Sequence, residues 1–149
     1  MSELDLELSI DKFVFRVRKG YLYTPAGLWV SQSGSRYRVG MGDFLQQKSG
    51  DVAFVELPKA GAQVEVDDVL ATVETMKTSL DVLSPLAGVV ASVNGEMVDS
   101  PERVNEDPYG AGWLLEIECA APVEGLLDAQ AYFEVMSAEA ALEAAKLGK

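Results

Sequence analysis

The sequence contains no histidine and a single cysteine, Cys119. Without imidazole and with one thiol, the usual zinc, iron and blue-copper ligand sets cannot be assembled within the chain. A Ser–His or Cys–His nucleophile pair is excluded for the same reason. An internal disulfide needs a second sulfur, so a reducing compartment is favoured, and Cys119 reads as a small buried apolar group. Basic residues are also scarce: 12 Lys and Arg stand against 24 Asp and Glu, a net charge of −12. Such a chain is a poor non-specific ligand for nucleic acid or an anionic membrane, although it suits docking to partners with basic entrances. No apolar run reaches the roughly 20 residues of a membrane helix. The opening "MSELDLELSI" is acidic and lacks a basic region followed by an apolar stretch, so no signal peptide is read and a cytoplasmic location is expected.

What is present is strand-forming. With 149 residues, 48% of them apolar, the chain can bury one proper core. "DKFVFRVRKGYLYT" alternates, with Phe13, Phe15 and Val17 on one side and Val14, Arg16 and Arg18 on the other. "GLWVSQSGSRYRVG" predicts a hairpin around Ser33-Gly34, and "DFLQQKSG" a short helix with Asp43 as N-cap and Gly50 as its stop. The valine-rich stretch 51–95 is punctuated by Pro58, Gly61, Asp67-Asp68, Pro85, Gly88 and Asn94-Gly95, the spacing of short strands in a small barrel or sandwich. Within it "GAQVEVDDVLATV" and "AGVVASVNGEMV" form a faint internal echo. Ser100 and Pro101 suit the N-cap and first position of a further short helix. "GWLLEIECA" reads as a closing strand with Trp113, Leu115 and Ile117 on one face. From about Val123 the composition is helical, with Asp128 and Ser137 as caps or breaks and an alanine-rich tail that can project from the body.

One lysine interrupts this pattern. In "LATVETMKTSLDVLSPLAGVV", pairing of strands 69–75 and 79–83 places Lys77 at the tip of the connection "TMKT". The turn lacks the Asn-Gly or Asp-Gly pair of the tightest hairpins, so the reading rests on its β-branched flanks. An ammonium at an exposed tip is a poor general base but an accessible substrate for another enzyme. Most exposed hairpin lysines do no more than hydrate and discourage edge pairing. Glu74 and Asp81, three residues before and four after, can each pair with Lys77, serve an enzyme that modifies it, or simply be solvated.

These stretches, together with "YRVGMGDF", "GDVAFVELPKAG", "DSPERVNEDPYGAGW" and "LLDAQAYFEVM", resemble the glycine cleavage system H protein family of lipoyl carriers, from about Tyr23 to Met136. The "SPERVNEDPYG" plus "GW" stretch is the most specific element. The resemblance implies a mainly β, flattened barrel-sandwich hybrid of the lipoyl/biotinyl-carrier type, with short helices and a C-terminal helical segment. It implies an N-terminal extension over 1–20 that can add a strand, a carrier domain over 21–122, and helix over 123–149. It further implies lipoate in amide linkage on Lys77, Glu74 as a candidate for ligase recognition and Asp81 as a candidate contact to the loaded arm. The chain would be a non-enzymatic carrier, shuttling an aminomethyl group and reducing equivalents. Its implied partners are a lipoate ligase or lipoyl/octanoyl transferase, glycine decarboxylase, aminomethyltransferase and dihydrolipoyl dehydrogenase, the chemistry residing in cofactor and partners.

Three departures stand out. Where the family has a serine-like residue and His-Glu before its first tryptophan, this chain has Ala26, Gly27 and Leu28 before Trp29. That loss favours an alternative, an H-like lipoyl carrier for sulfur metabolism or lipoate relay. Asp67 stands where glycine is common, and the leading segment to about Gly20 is longer than the family's. A biotinyl carrier is a weaker alternative, because Met76 precedes the lysine but Thr78 follows it where the Met-Lys-Met element needs methionine. An unmodified structural module is the last.

Overall fold

The computed structural model describes residues 4–120, 123 and 125–147. The chain opens with a hairpin, β1 (Asp5–Ile10) and β2 (Phe13–Arg18), paired antiparallel as a sheet of its own. Phe15 and Val17 of β2 are buried and Val14 and Arg16 exposed, as the alternation predicts, while Phe13 at the strand end stays 44% exposed. The leading segment therefore contributes two strands that pair with each other, not one strand added to a larger sheet.

There follow β3 (Leu22–Tyr23), β4 (Leu28–Ser33), β5 (Arg36–Met41), helix α1 (Asp43–Ser49), β6 (Val52–Glu56), β7 (Gln63–Val64) and β8 (Val69–Thr75). The chain continues with β9 (Ser79–Leu83), β10 (Gly88–Val93), the short helices α2 (Glu96–Asp99) and α3 (Arg103–Glu106), β11 (Leu115–Glu118) and the long helix α4 (Ala129–Leu147). Six strands in the order β3-β4-β5-β11-β10-β7 form one antiparallel sheet, and β6-β8-β9 form a second. Val30, Val39, Val73, Val82, Leu115 and Ile117 from both sheets share one core, the mainly β architecture expected.

A second cluster lies outside that core. Successive strand residues face opposite ways, so Leu28 and Val30 enter the main core while Trp29 joins Phe15, Phe44, Tyr109, Tyr132 and Met136. Tyr23 stacks on Tyr132 at 4.6 Å between ring centroids, and Phe15 meets Phe44 edge-on at 5.1 Å. Helix α4 joins this cluster through Ala129, Tyr132, Met136 and Ala140, spaced as one helical face. Gly40 lies opposite Trp29 on β5, and a Cβ there would stand 2.5 Å from the indole.

Several local expectations are corrected. Asp43 is the first residue of α1, after Gly42 at the cap, and its carboxylate accepts the Arg16 backbone N–H and the Gln46 side chain, each at 2.8 Å. Gly50 does end α1, at a φ of 95°. Ser100 closes α2 and does not open the next helix, because Arg103 N–H bonds its carbonyl across a turn that precedes α3. Asp128 caps α4 by accepting the Ala131 N–H at 2.8 Å, but the helix passes through Ser137 without a break. Helix begins at Ala129 rather than near Val123, since Leu127 bridges Tyr23 in extended backbone; Ala121, Pro122 and Glu124 lie outside the described residues. Helix α4 packs on the hairpin rather than projecting, and the last two residues of the expected tail, Gly148 and Lys149, also lie outside the described residues. Leu114 and Leu115 are both buried, so Trp113 falls on the outer side, beneath the Arg38 guanidinium at 4.2 Å. Cys119 is buried. The internal echo is only partial: its first copy is strand, turn and strand, whereas the second runs from β10 into α2. Among the described residues no helix is long and apolar enough to cross a membrane.

Gly40→Ala forces the indole aside and is expected to lower unfolding free energy by about 2 kcal/mol, measured by urea denaturation. Burial raises Tyr109 from the ordinary tyrosine value of 10.0 to about 12, and raises Tyr23 and Tyr132 further. The folded state thus holds these protons more tightly than the unfolded chain does, and their contribution is fully present below the unfolded value. Stability is expected to hold up to about pH 10 and to fall between about pH 10 and pH 12. Circular dichroism against pH checks this.

Candidate functional site

Strands β8 and β9 pair from Val69↔Leu83 to Glu74↔Ser79, leaving Thr75 to Thr78 as the turn and Lys77 exposed at its tip. The turn chemistry missing from the sequence is supplied by Thr75. Its hydroxyl accepts the N–H of Lys77 at 3.1 Å and of Thr78 at 2.9 Å, and donates to the Ser49 carbonyl at 2.7 Å. Met76 N–H donates to the Asp51 carbonyl at 2.9 Å. The tip is therefore fastened by its backbone to the connection between α1 and β6.

That connection is itself pinned by Asn105 of α3. The Asn105 carboxamide donates to Gln46 Oε1 at 2.9 Å and to the Gly50 carbonyl at 3.1 Å, and accepts the Val52 N–H at 2.8 Å. The rest of the "NEDPYGAGW" stretch is equally committed. Asp107 accepts the Ala111 N–H at 2.9 Å, the Pro108 carbonyl accepts the Trp29 indole N–H at 2.8 Å, and Tyr109 donates to the Arg16 carbonyl at 2.6 Å. Thr75, Gly50 and Asn105 are the site residues that sequence reasoning missed. Their signal was present, because Asn105 sits inside the stretch singled out as most specific.

The predicted neighbours are only partly brought together. Lys77 forms no ion pair with Glu74 or Asp81. Its side chain lies over Gly50, where a Cβ would meet Lys77 Cβ at 3.4 Å, and its Nζ donates to the Lys48 carbonyl at 3.1 Å. Glu74 is exposed on β8, one residue before the turn. Asp81 is exposed on β9, with Thr72 Oγ1 3.4 Å from its carboxylate.

Two grooves flank the hairpin. One, of about 490 Å³, is walled by Ala26, Leu28, Val66, Asp67, Leu80 and Asp81. Two of the three residues standing in place of the family's polar triplet, Ala26 and Leu28, thus share a groove with Asp81, and both are apolar. Leu28 is 4% exposed and belongs to the main core, so a glutamate there would have to hold its charge at the core's edge. Asp67 takes a left-handed φ of 72° in the turn before β8, which aspartate tolerates better than most residues. The other groove, of about 310 Å³, has Lys77 in its wall.

Comparison with known proteins places this geometry in context. The family model described as glycine cleavage H-protein matches residues 21–139. The chain is 43% identical over 119 residues to the glycine cleavage system H protein of Herpetosiphon aurantiacus, covering 80% of this chain and 92% of that protein. It is 39% identical over 126 residues to that of Thermus thermophilus, covering 83% and 98%. Its fold resembles the crystal structure of a glycine cleavage system H protein from Mycobacterium marinum, with a TM-score of 0.74, 32% identity and coverage of 79% of this chain and 97% of that one. A two-sheet sandwich that presents one lysine on a fastened hairpin, together with a family match over residues 21–139, makes this chain a member of the glycine cleavage H-protein family.

Proposed function

We propose that this protein is a lipoyl carrier of glycine cleavage, with lipoate joined to Lys77 Nζ by an amide bond. Members of its family carry lipoate. The observation that carries the assignment to this residue is the combination at the tip: Thr75 and Asp51 fasten the backbone, while the Lys77 side chain is exposed. A modifying enzyme can therefore take the amine without unfolding the domain. Amide formation leaves one N–H on Nζ, enough to keep the donation to the Lys48 carbonyl.

When bound, the lipoyl group supplies a dithiolane that exchanges an aminomethyl group and reducing equivalents with partner enzymes. The chain's own residues position and present it. Glu74 stands exposed beside the turn, where a lipoate ligase or lipoyl/octanoyl transferase would touch the hairpin. Asp81 offers a carboxylate to a cationic group in the larger groove, without the polar partners that Ala26, Gly27 and Leu28 replace. Glycine decarboxylase, aminomethyltransferase and dihydrolipoyl dehydrogenase are the partners this reading requires, and the chain itself contributes no catalytic group.

Incubation with lipoate ligase, ATP and lipoate is expected to add one lipoyl increment to the intact mass, and biotin ligase with biotin none. Lys77→Arg is expected to remove the increment while leaving the urea midpoint unchanged; a lipoylated Lys77→Arg protein would show that another lysine is used. Asn105→Ala strands the Val52 N–H and loosens the platform beneath the tip. It is expected to cost about 2 kcal/mol in urea denaturation and to slow lipoylation, followed by the same mass measurement.

A further inference from the structure

The groove that contains Lys77 lies where the N-terminal hairpin, α1 and α4 come together. Phe13 and Phe15 come from the N-terminal hairpin, Phe44 from α1, and Ala140 and Ala144 from α4. The hairpin lies outside residues 21–139, so this groove depends on a segment that the family match does not include. Its walls are mostly apolar and aromatic, and Phe13 is 44% exposed at the mouth. Asp11 and Glu143 line its edge, and Lys48 is held there by Glu139 at 2.5 Å, its Nζ 5.3 Å from the Phe44 ring centroid.

Lys77 enters this groove and not the one with Asp81. Its stem crosses Gly50, and its Nζ reaches the Lys48 carbonyl at the end of α1. A group attached to that nitrogen starts its path between α1 and the hairpin. We propose that this groove is a resting site for the chain's own lipoyl arm, with the hydrocarbon and dithiolane packed against Phe13, Phe15 and Phe44. The chemistry suits the arm: an acyl chain is apolar, and disulfide sulfur packs well against aromatic edges. The proposal rests on the carrier reading and assigns that carrier's arm to a site built by the additional hairpin.

The test uses the full-length protein, labelled with 13C and 15N, before and after enzymatic lipoylation verified by intact mass. Expected are nuclear Overhauser contacts from the lipoyl chain protons to the Phe13, Phe15 and Phe44 rings, and amide shifts at Ala140 and Ala144. Reduction of the dithiolane by a water-soluble phosphine is expected to be several-fold slower than for free lipoamide. Phe13→Ser and, independently, Ala144→Glu are expected to abolish that protection. Contacts to Leu28 and Asp81 instead, shifts confined to residues 76–78, or reduction at the free rate would overturn the resting site while leaving the carrier function intact. Failure of the protein to gain a lipoyl increment would overturn the carrier reading, and this proposal with it.

Discussion

A carboxamide offers two donors and an acceptor oxygen, and Asn105 uses them on Gln46, Gly50 and Val52, along the single stretch that ends α1 and begins β6. Through Gln46 and Gly50 it holds the end of α1, and through Val52 the start of β6. The three residues Ser49, Gly50 and Asp51 are then set in place, and they in turn receive the Lys77 hairpin through Thr75 and Met76. Pairing of β8 with β6, where Val52 stands opposite Thr75, brings the tip beside the end of α1, and Asn105 fixes the connection on which it rests. The same short stretch of sequence, a few residues on, ties Trp29 and the N-terminal hairpin to the body through Pro108 and Tyr109.

Strand β4 is where the two cores meet. Buried on both faces, it sends Leu28 and Val30 to the sandwich and Trp29 to the aromatic cluster under α4. Gly40 makes that arrangement possible, since any larger residue would occupy the volume of the indole. The additional hairpin is thus attached through rings and side-chain hydrogen bonds to its backbone, not through sheet pairing: β1 and β2 pair only with each other. An extension joined in this way leaves the pairing order of the carrier sheets untouched.

Much of this was legible in the sequence because it is local. Alternation marked β2, and the β-branched flanks of Lys77 marked β8 and β9 at the bounds observed. Errors arose where a side chain had a distant partner to choose. Asp43 is a good capping residue by type, yet Arg16 and Gln46 claim its carboxylate. Ser100 looks like a helix start until the preceding helix is seen to end on it. Trp113 precedes β11 and so escapes the alternation of that strand; it lies beneath Arg38 of β5. The candidate site divides the same way. Its lysine was readable, and family resemblance raised it above other exposed lysines. The direction of its side chain depends on Gly50 and on the Lys48 carbonyl, the latter 29 residues earlier, which no local pattern reveals.

The fastening of the turn has a consequence for delivery. A swinging arm rooted in a mobile loop explores the combined volume of loop and arm, which dilutes the reactive end. For an arm on Lys77, as proposed above, Thr75 removes the loop's share of that volume. Once a partner has docked, the effective concentration of the cargo in its active site is governed by the arm's own length and stiffness. Rigidity at the root therefore serves transfer, because the entropy of ordering the turn is met once, on folding, and not again at each encounter.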